Sequence, residues 1–359
     1  MIYFIIYGEW SASDMLDDLR VIDQRDSSGA LAAAGSIVQQ LSFDPLAEGE
    51  PGSLEISNII ISGIGGSALA ADIIKAVVRN GLNIPLEVVK SYELPGYVGR
   101  NTLVVAVSRS GNTEEILSCY VQAMQAGAIV VVAAGGGELL RLANRDGVPR
   151  VTIPVDAQPR FAMGYQLKAL SKILQIYSVI GDGLSKELAG ARDWLAHWVH
   201  EWRPERPLEH NYAKQLAEKT VGKTPIFYGG ELTGPVAYRW KVSWNETAKN
   251  VAFYGLYPEV SHGEFIGWLS HPIDKPFAIF DILSSFERSR ITESMELSDK
   301  MLSGKRPKST VITLQGDSLV QQLLWGMLLA DMTSIYGAIL NGVDPMRVES
   351  IERFKKSLS

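Results

Sequence analysis

The sequence predicts an α/β chain built as two doubly wound parallel-sheet domains with helices on both faces. Three observations carry that expectation. Short apolar strands alternate with helical stretches. Several of these strands are apolar on consecutive residues, as suits strands buried on both faces of a parallel sheet. The pattern is also laid down twice along 359 residues, a length that favours two domains over one.

Taken in order, the chain opens with Ile2-Tyr3-Phe4-Ile5-Ile6-Tyr7. This run is far shorter than the roughly 20 residues a bilayer span needs, and it lacks the basic start of a signal peptide. It reads as an extra edge strand or a dispensable extension, and no later run reads as long enough to span. A polar, helix-prone stretch over 11–41 precedes strands expected at 59–62, 86–90, 103–107, 129–133 and 151–153, each followed by glycine, serine or proline. That order is the reading of a doubly wound sheet. After Pro159-Arg160 comes a helical block over 165–180, then an amphipathic stretch over 193–202 that enters the proline-bearing 203–207, the expected inter-domain connection.

A second set of strands is expected at 225–228, 251–254, 277–281 and 310–314. Segments 59–74 and 225–246 both read as strand, paired glycines (Gly65-Gly66 and Gly229-Gly230) and long helix, a weak internal repeat. One long apolar helix over 318–340, the turn Asn341-Gly342-Val343-Asp344-Pro345 and a short basic helix complete the chain. The expected domains are an extension and helical segment (1–50), a first sheet domain (51–160), a helical connection (161–205), a second sheet domain (206–340) and a C-terminal helix (341–359).

A composition 46% hydrophobic and 21% charged suits a buried core rather than disorder. The net charge of −6 lacks the cationic surplus that neutralising a nucleic-acid backbone demands. A small anionic substrate would be held locally instead. The single cysteine, Cys119, excludes an internal disulfide and a multi-cysteine zinc site, so a reducing cytoplasm is the natural home. Cys119 reads as a buried small apolar side chain. No metal-ligand spacing such as HExxH occurs, so no metal is expected; that no redox cofactor is expected either rests on the hydroxyl-bearing loop over 108–113 rather than on this spacing.

Two loops suit an anion. In Ser62-Gly63-Ile64-Gly65-Gly66-Ser67-Ala68, a strand runs through glycines into a helix, so backbone N–H groups converge on one point. The same letters satisfy the dinucleotide fingerprint G-x-G-x-x-A, which keeps a nicotinamide or flavin enzyme in contention. A second strand ends in Ser108-Arg109-Ser110-Gly111-Asn112-Thr113 before Glu114-Glu115. Hydroxyls at a helix start suit the three oxygens of a phosphate monoester, whereas a pyrophosphate bridge needs bare glycine for close backbone approach. The plainer reading is that these residues only cap the helix, with Thr113 reaching its N–H groups; capping accounts for one hydroxyl, not three.

For chemistry, Glu246 closes the second-domain helix in Asn245-Glu246-Thr247-Ala248-Lys249-Asn250, although a lone glutamate is usually a solvated face residue. His262 lies in a polar, glycine-bearing turn, Glu259-Val260-Ser261-His262-Gly263-Glu264, where structural and functional readings are even. His197, His200, His210 and His271 read as surface or loop residues.

In this order, Gly65-Gly66-Ser67, Ser91-Tyr92-Glu93-Leu94-Pro95, the 108–113 loop, Pro159-Arg160, Asn245-Glu246, His262 and Gly342-Val343-Asp344-Pro345 with a lysine ten positions after the proline resemble the bifunctional phosphoglucose/phosphomannose isomerase family, of the sugar-isomerase (SIS) fold. The resemblance covers nearly the whole chain beyond residue 59. It implies that Gly66, Ser67, Ser108, Ser110 and Thr113 hold a hexose phosphate, and that Glu246 moves a proton between C2 and C1. Arg160 would steady the enediolate, and His262 and Lys355 would open the sugar ring. It further implies a homodimer with the active site at the subunit interface, the histidine coming from the other subunit, and a C-terminal helix that returns to the site. The alternative of another class is a non-catalytic sugar-phosphate-binding SIS protein. Such regulators carry a basic helix-turn-helix, which the acidic 14–26 region does not supply. Three positions depart from the family pattern: Arg109 replaces an aromatic, His262 lacks its asparagine flanks, and Val348 stands where some members carry a threonine linked to the mannose-phosphate activity.

Overall fold

A computed structural model describes residues 11–49, 55–270, 274–350, 353 and 357. The chain divides into two compact units. One comprises Ser36–Trp194; the other joins the N-terminal residues up to Gly35 with everything from Leu195 onward.

The first unit holds six strands: β1 (Ala47–Glu48), β2 (Asn58–Ser62), β3 (Leu86–Val89), β4 (Thr102–Ser108), β5 (Ile129–Ala134) and β6 (Arg150–Thr152). Their order is β1-β6-β5-β4-β2-β3, parallel throughout except for the antiparallel β1 at the edge. Alternate residues of the central strands serve opposite faces. Ile60, Val104, Ala106, Val130 and Val132 pack with Ile116, Cys119, Tyr120, Leu139 and Leu142 of helices Glu114–Gln125 and Gly137–Asp146. Ile59, Ile61, Val105, Val107 and Val131 are equally buried on the other side, where helices Gly66–Val78 and Met163–Ile176 lie. Cys119 is fully buried, and burial pushes its thiol up to about 11, so it is a packing residue as expected.

The second unit repeats the winding with four parallel strands, β7 (Thr224–Gly229), β8 (Phe253–Leu256), β9 (Phe277–Leu283) and β10 (Thr310–Thr313), in the order β10-β9-β7-β8. Phe280 stacks with Phe227 and with Trp240 of helix Gly234–Glu246 on one face, and Phe227 meets Trp240 at a tilt. Ile226, Tyr228, Ile279, Tyr257, Trp268, Ile291 and Met295 form the core of the other. β8 is an edge strand, and Phe253, Tyr254 and Leu256 on it are exposed.

Helix Leu319–Leu340 corrects one expectation: its 22 residues have the length and apolarity to cross a bilayer. The whole apolar window is buried within the protein. It packs against helices Tyr212–Glu218, Gly234–Glu246 and Ala30–Gly35, and burial on all sides is what an all-round apolar helix requires.

Candidate functional site

In the six-stranded unit, the winding direction reverses between β2 and β4. At such a switch point the loops leaving the strand carboxyl ends diverge and open a crevice. The loops leaving these two strands carry Gly66-Ser67 and the 108–113 turn. Ser108 Oγ lies 2.8 Å from Thr113 Oγ1 and 3.5 Å from Ser110 Oγ. Thr113 occupies the N-cap position of helix Glu114–Gln125, yet its hydroxyl makes no cap bond. It faces the loop instead. The N–H groups of Gly111 and Asn112 donate to Ser108 Oγ and Ser110 Oγ at 3.1 and 3.2 Å. Gly111, at φ 69°, has room for no side chain, because a Cβ would collide with the Gly136 carbonyl.

The neighbouring turn is tied to the same crevice. Gln166 donates its Nε2–H to Ser67 Oγ at 3.0 Å, and the Gln166 carboxamide and the Pro159 carbonyl are the groups a Cβ on Gly66 would approach. Arg160, next to Pro159 in the short helix Pro159–Phe161, lies over the Phe161 ring with its carbon Cζ 5.7 Å from the centroid. The structure therefore gathers Gly66, Ser67, Ser108, Ser110 and Thr113 at adjacent strand ends, with the Arg160 segment bordering Gly66. Neither loop contains an acidic residue, and the arrangement supplies hydroxyls and helix N-termini to an anion.

Arg109 has a role that its position between two serines does not reveal. Its guanidinium donates to the carbonyls of Val155, at 2.7 Å, and Ala157. It clamps the strand-end turn to the segment that leads into Pro159-Arg160.

The four-stranded unit has its own switch point, between β7 and β9. There the position of an external anion is taken by Glu287, in the loop after β9. Its Oε2 accepts from Leu232 N (3.0 Å), Thr233 N (3.3 Å) and Thr233 Oγ1 (3.5 Å) at the start of helix Gly234–Glu246. The Glu287 carboxylate packs directly on Gly230, so a Cβ there would displace it. Gln322 fills the remaining polar positions, accepting from Ser284 Oγ at 2.7 Å and donating to Ser285 Oγ at 2.8 Å. The two switch points thus differ: one gathers hydroxyls, and the other is filled by its own side chains.

Glu246 is the last residue of helix Gly234–Glu246. Bidentate bonds from Arg239 to Asp331 (2.8 and 2.7 Å), a bond from Ser243 to Asp331 (2.8 Å) and one from Trp240 Nε1 to the Gly326 carbonyl (3.0 Å) lock that helix to Leu319–Leu340. At the same helix end, Lys249 donates to the carbonyls of Glu246 and, at 3.3 Å, of Pro345, while Asn341 donates to the Ala248 carbonyl at 2.9 Å. The 341–345 turn is thereby brought beside Glu246; Lys355 lies outside the described residues, as does His271.

His262 is exposed on the short helix Val260–Gly263 that follows β8. Two residues on, Glu264 accepts a 2.7 Å bond from the hydroxyl of Tyr228. Tyr228 escaped the sequence reading because it sits among the apolar residues of β7. A buried phenol still requires a hydrogen-bond partner, and that requirement was the available signal. Among the described residues, no cluster of three or more histidine, cysteine, aspartate or glutamate side chains is placed to hold a metal.

Comparison with known proteins places this geometry. Residues 209–358 match the bacterial phospho-glucose isomerase C-terminal SIS domain, and residues 55–144 match the SIS domain. The chain is 32% identical over 307 residues to the bifunctional phosphoglucose/phosphomannose isomerase of Caldicellulosiruptor bescii, an alignment covering 85% of this chain and 90% of the relative. It is 30% identical to the Aquifex aeolicus protein of the same description, covering 84% and 90%. A crystal structure of a glucose-6-phosphate isomerase like protein from Thermus thermophilus superposes with a TM-score of 0.64 at 20% identity, over 95% of this chain and 98% of that one. This last likeness concerns the fold.

Proposed function

Because this chain belongs to the bifunctional phosphoglucose/phosphomannose isomerase family, we propose that it interconverts glucose 6-phosphate, and mannose 6-phosphate, with fructose 6-phosphate through a cis-enediol. The observation that carries the reading is the cluster of hydroxyls at the strand ends, in which Thr113 forgoes its cap bond to join Ser108.

The substrate phosphoryl oxygens accept from Ser67, Ser108, Ser110, Thr113 and the Gly66 N–H. Glu246 takes the C2 proton of the open-chain aldose and returns it to C1. A proton beside a carbonyl leaves only when the resulting oxyanion is stabilised, and Arg160 supplies the cation. His262 and Lys355 exchange the protons of ring opening. The planar enediol has lost the C2 stereocentre, so one base serves both aldoses if the C2–C3 bond rotates. Val348 stands where some members of the family carry a threonine linked to the mannose-phosphate reaction, so the glucose-phosphate reaction is the firmer half of the proposal.

We place the enzyme in the cytoplasm as a homodimer, with His262 completing the active site of a second copy. The exposed apolar residues Phe253, Tyr254 and Leu256 on edge strand β8, with Ile266 and Leu269 flanking the His262 turn, support such an interface.

Coupled assays with each aldose phosphate in the presence of a chelator test the proposal. Turnover is expected, and Glu246→Gln lowers kcat by about 10²–10⁴-fold. A Glu246→Gln enzyme of full activity removes the mechanism; thermal stabilisation by a sugar phosphate without turnover favours the binding-protein alternative.

A further inference from the structure

We propose that Tyr228 and Glu264 form a positioning pair for His262, an inference that rests on the ring-opening role given to that histidine above. His262 is exposed on a four-residue helix, Val260–Gly263, too short to hold a side chain in place by its own hydrogen bonds. What fixes it is the strand beneath. Tyr228 is fully buried in β7, where pairing with β8 on one side and β9 on the other immobilises its backbone. Its hydroxyl reaches out of the core to Glu264 Oε2 at 2.7 Å. Glu264 is the C-cap residue of the histidine's helix, and its N–H donates back to the Val260 carbonyl at 3.1 Å. A single side-chain bond therefore joins the rigid sheet to the end of the turn that carries His262.

The surroundings are arranged to hold the tyrosine ring still. Tyr257 meets it edge-on at 5.9 Å, and the Arg306 guanidinium, itself buried, lies over both the Tyr228 and Trp268 rings at 5.9 and 6.0 Å. Trp268 belongs to the short helix Ile266–Leu269 that follows the turn. Tyr257 and Val260 before His262, and Trp268 after it, are buried in the same core cluster as Tyr228. The segment is thus anchored by packing at both ends and by the phenol–carboxylate bond in between, leaving the imidazole outward on a fixed base. A histidine offered to a substrate needs that fixity, since a displacement of about 1 Å costs on the order of 10²-fold in rate.

The test is a set of single and double variants assayed on cyclic glucose 6-phosphate. Tyr228→Phe keeps the ring packing and removes the bond; kcat is expected to fall about tenfold with KM unchanged. Glu264→Ala, on the exposed side of the same bond, is expected to match it and serves where Tyr228→Phe does not fold. Glu264→Gln retains an oxygen that accepts from the phenol and keeps kcat within about twofold. In a His262→Ala background, Tyr228→Phe and Glu264→Ala cause no further loss, because the group they position is gone. Multiplicative losses in the double variants, or a Glu264→Gln enzyme as impaired as Glu264→Ala, overturn the positioning role while leaving the histidine's role intact. Full activity of His262→Ala alone removes the reading on which the proposal rests.

Discussion

Thr113 stands at the N-cap of its helix, and its hydroxyl pairs with Ser108 Oγ, 2.8 Å away, instead of accepting from the helix backbone. An N-cap threonine that leaves its helix uncapped forgoes about 1 kcal/mol. The hydroxyl is thereby kept in the crevice. Thr113→Val is therefore expected to leave the melting temperature nearly unchanged while raising KM for glucose 6-phosphate about tenfold, and Thr113→Ser to restore it. Steady-state kinetics with thermal melts decide it; a loss of stability with unchanged KM identifies a capping residue after all.

The helix that ends in Glu246 is held by a buried ion pair, Arg239–Asp331, with Ser243 as third member. Removing one partner strands the other charge in the core. Asp331→Ala is expected to lower unfolding free energy by about 3–5 kcal/mol, whereas replacing both partners with apolar residues of similar volume costs far less. Denaturant titrations of the single and double variants measure the difference.

Glu287 closes the crevice of the four-stranded unit by accepting two N–H groups and a hydroxyl. Its replacement by alanine leaves those donors unpaired, and a destabilisation of about 1–3 kcal/mol is expected. Added phosphate partly recovers the loss in Glu287→Ala but stabilises a Thr113→Val, Ser108→Ala chain much less, which thermal shift in phosphate reads directly.

Asp281, on β9, is almost fully buried, and burial lifts its carboxyl from 3.8 to about 6, against the lowering influences of Ser309 and Arg306. Because the folded value lies above the unfolded one, the protonated acid is the form that folding favours. The associated stability is present below about pH 4 and is lost as pH rises through about 6, a change of about 3 kcal/mol. Asp281→Asn abolishes that slope between pH 4 and pH 6 and makes the protein more stable at neutral pH, as unfolding at a series of pH values will report.

The parts of the fold legible in the sequence were those that burial had written into it. Ile59-Ile60-Ile61 and Leu103-Val104-Val105 are apolar without interruption because both faces of β2 and β4 are covered, and these strands fall within a residue of their expected ends. β8 was expected at 251–254 and lies at Phe253–Leu256; an exposed edge strand has no core face to fix its register. The two-residue β1 carries no periodic signal, and helix Ser289–Met301 is too polar to announce itself. At the site, serine and threonine around a glycine turn could be recognised because their partners are neighbours in sequence. The clamp from Arg109 to Val155 and Ala157, and the bond from Tyr228 to Glu264, join residues 36 to 48 positions apart, and no local pattern encodes such a pairing.

Arg109 rivets the 108–113 turn to the stretch that leads into Arg160. If those two places seat the phosphoryl tail and meet the reacting oxygen, as proposed, the clamp fixes the span between them and acts as a gauge of substrate length. On the proposed chemistry, a pentose phosphate seated by its tail stops one carbon short of that mark, so the same clamp that stiffens the turn discriminates against shorter sugars without touching any of their hydroxyls.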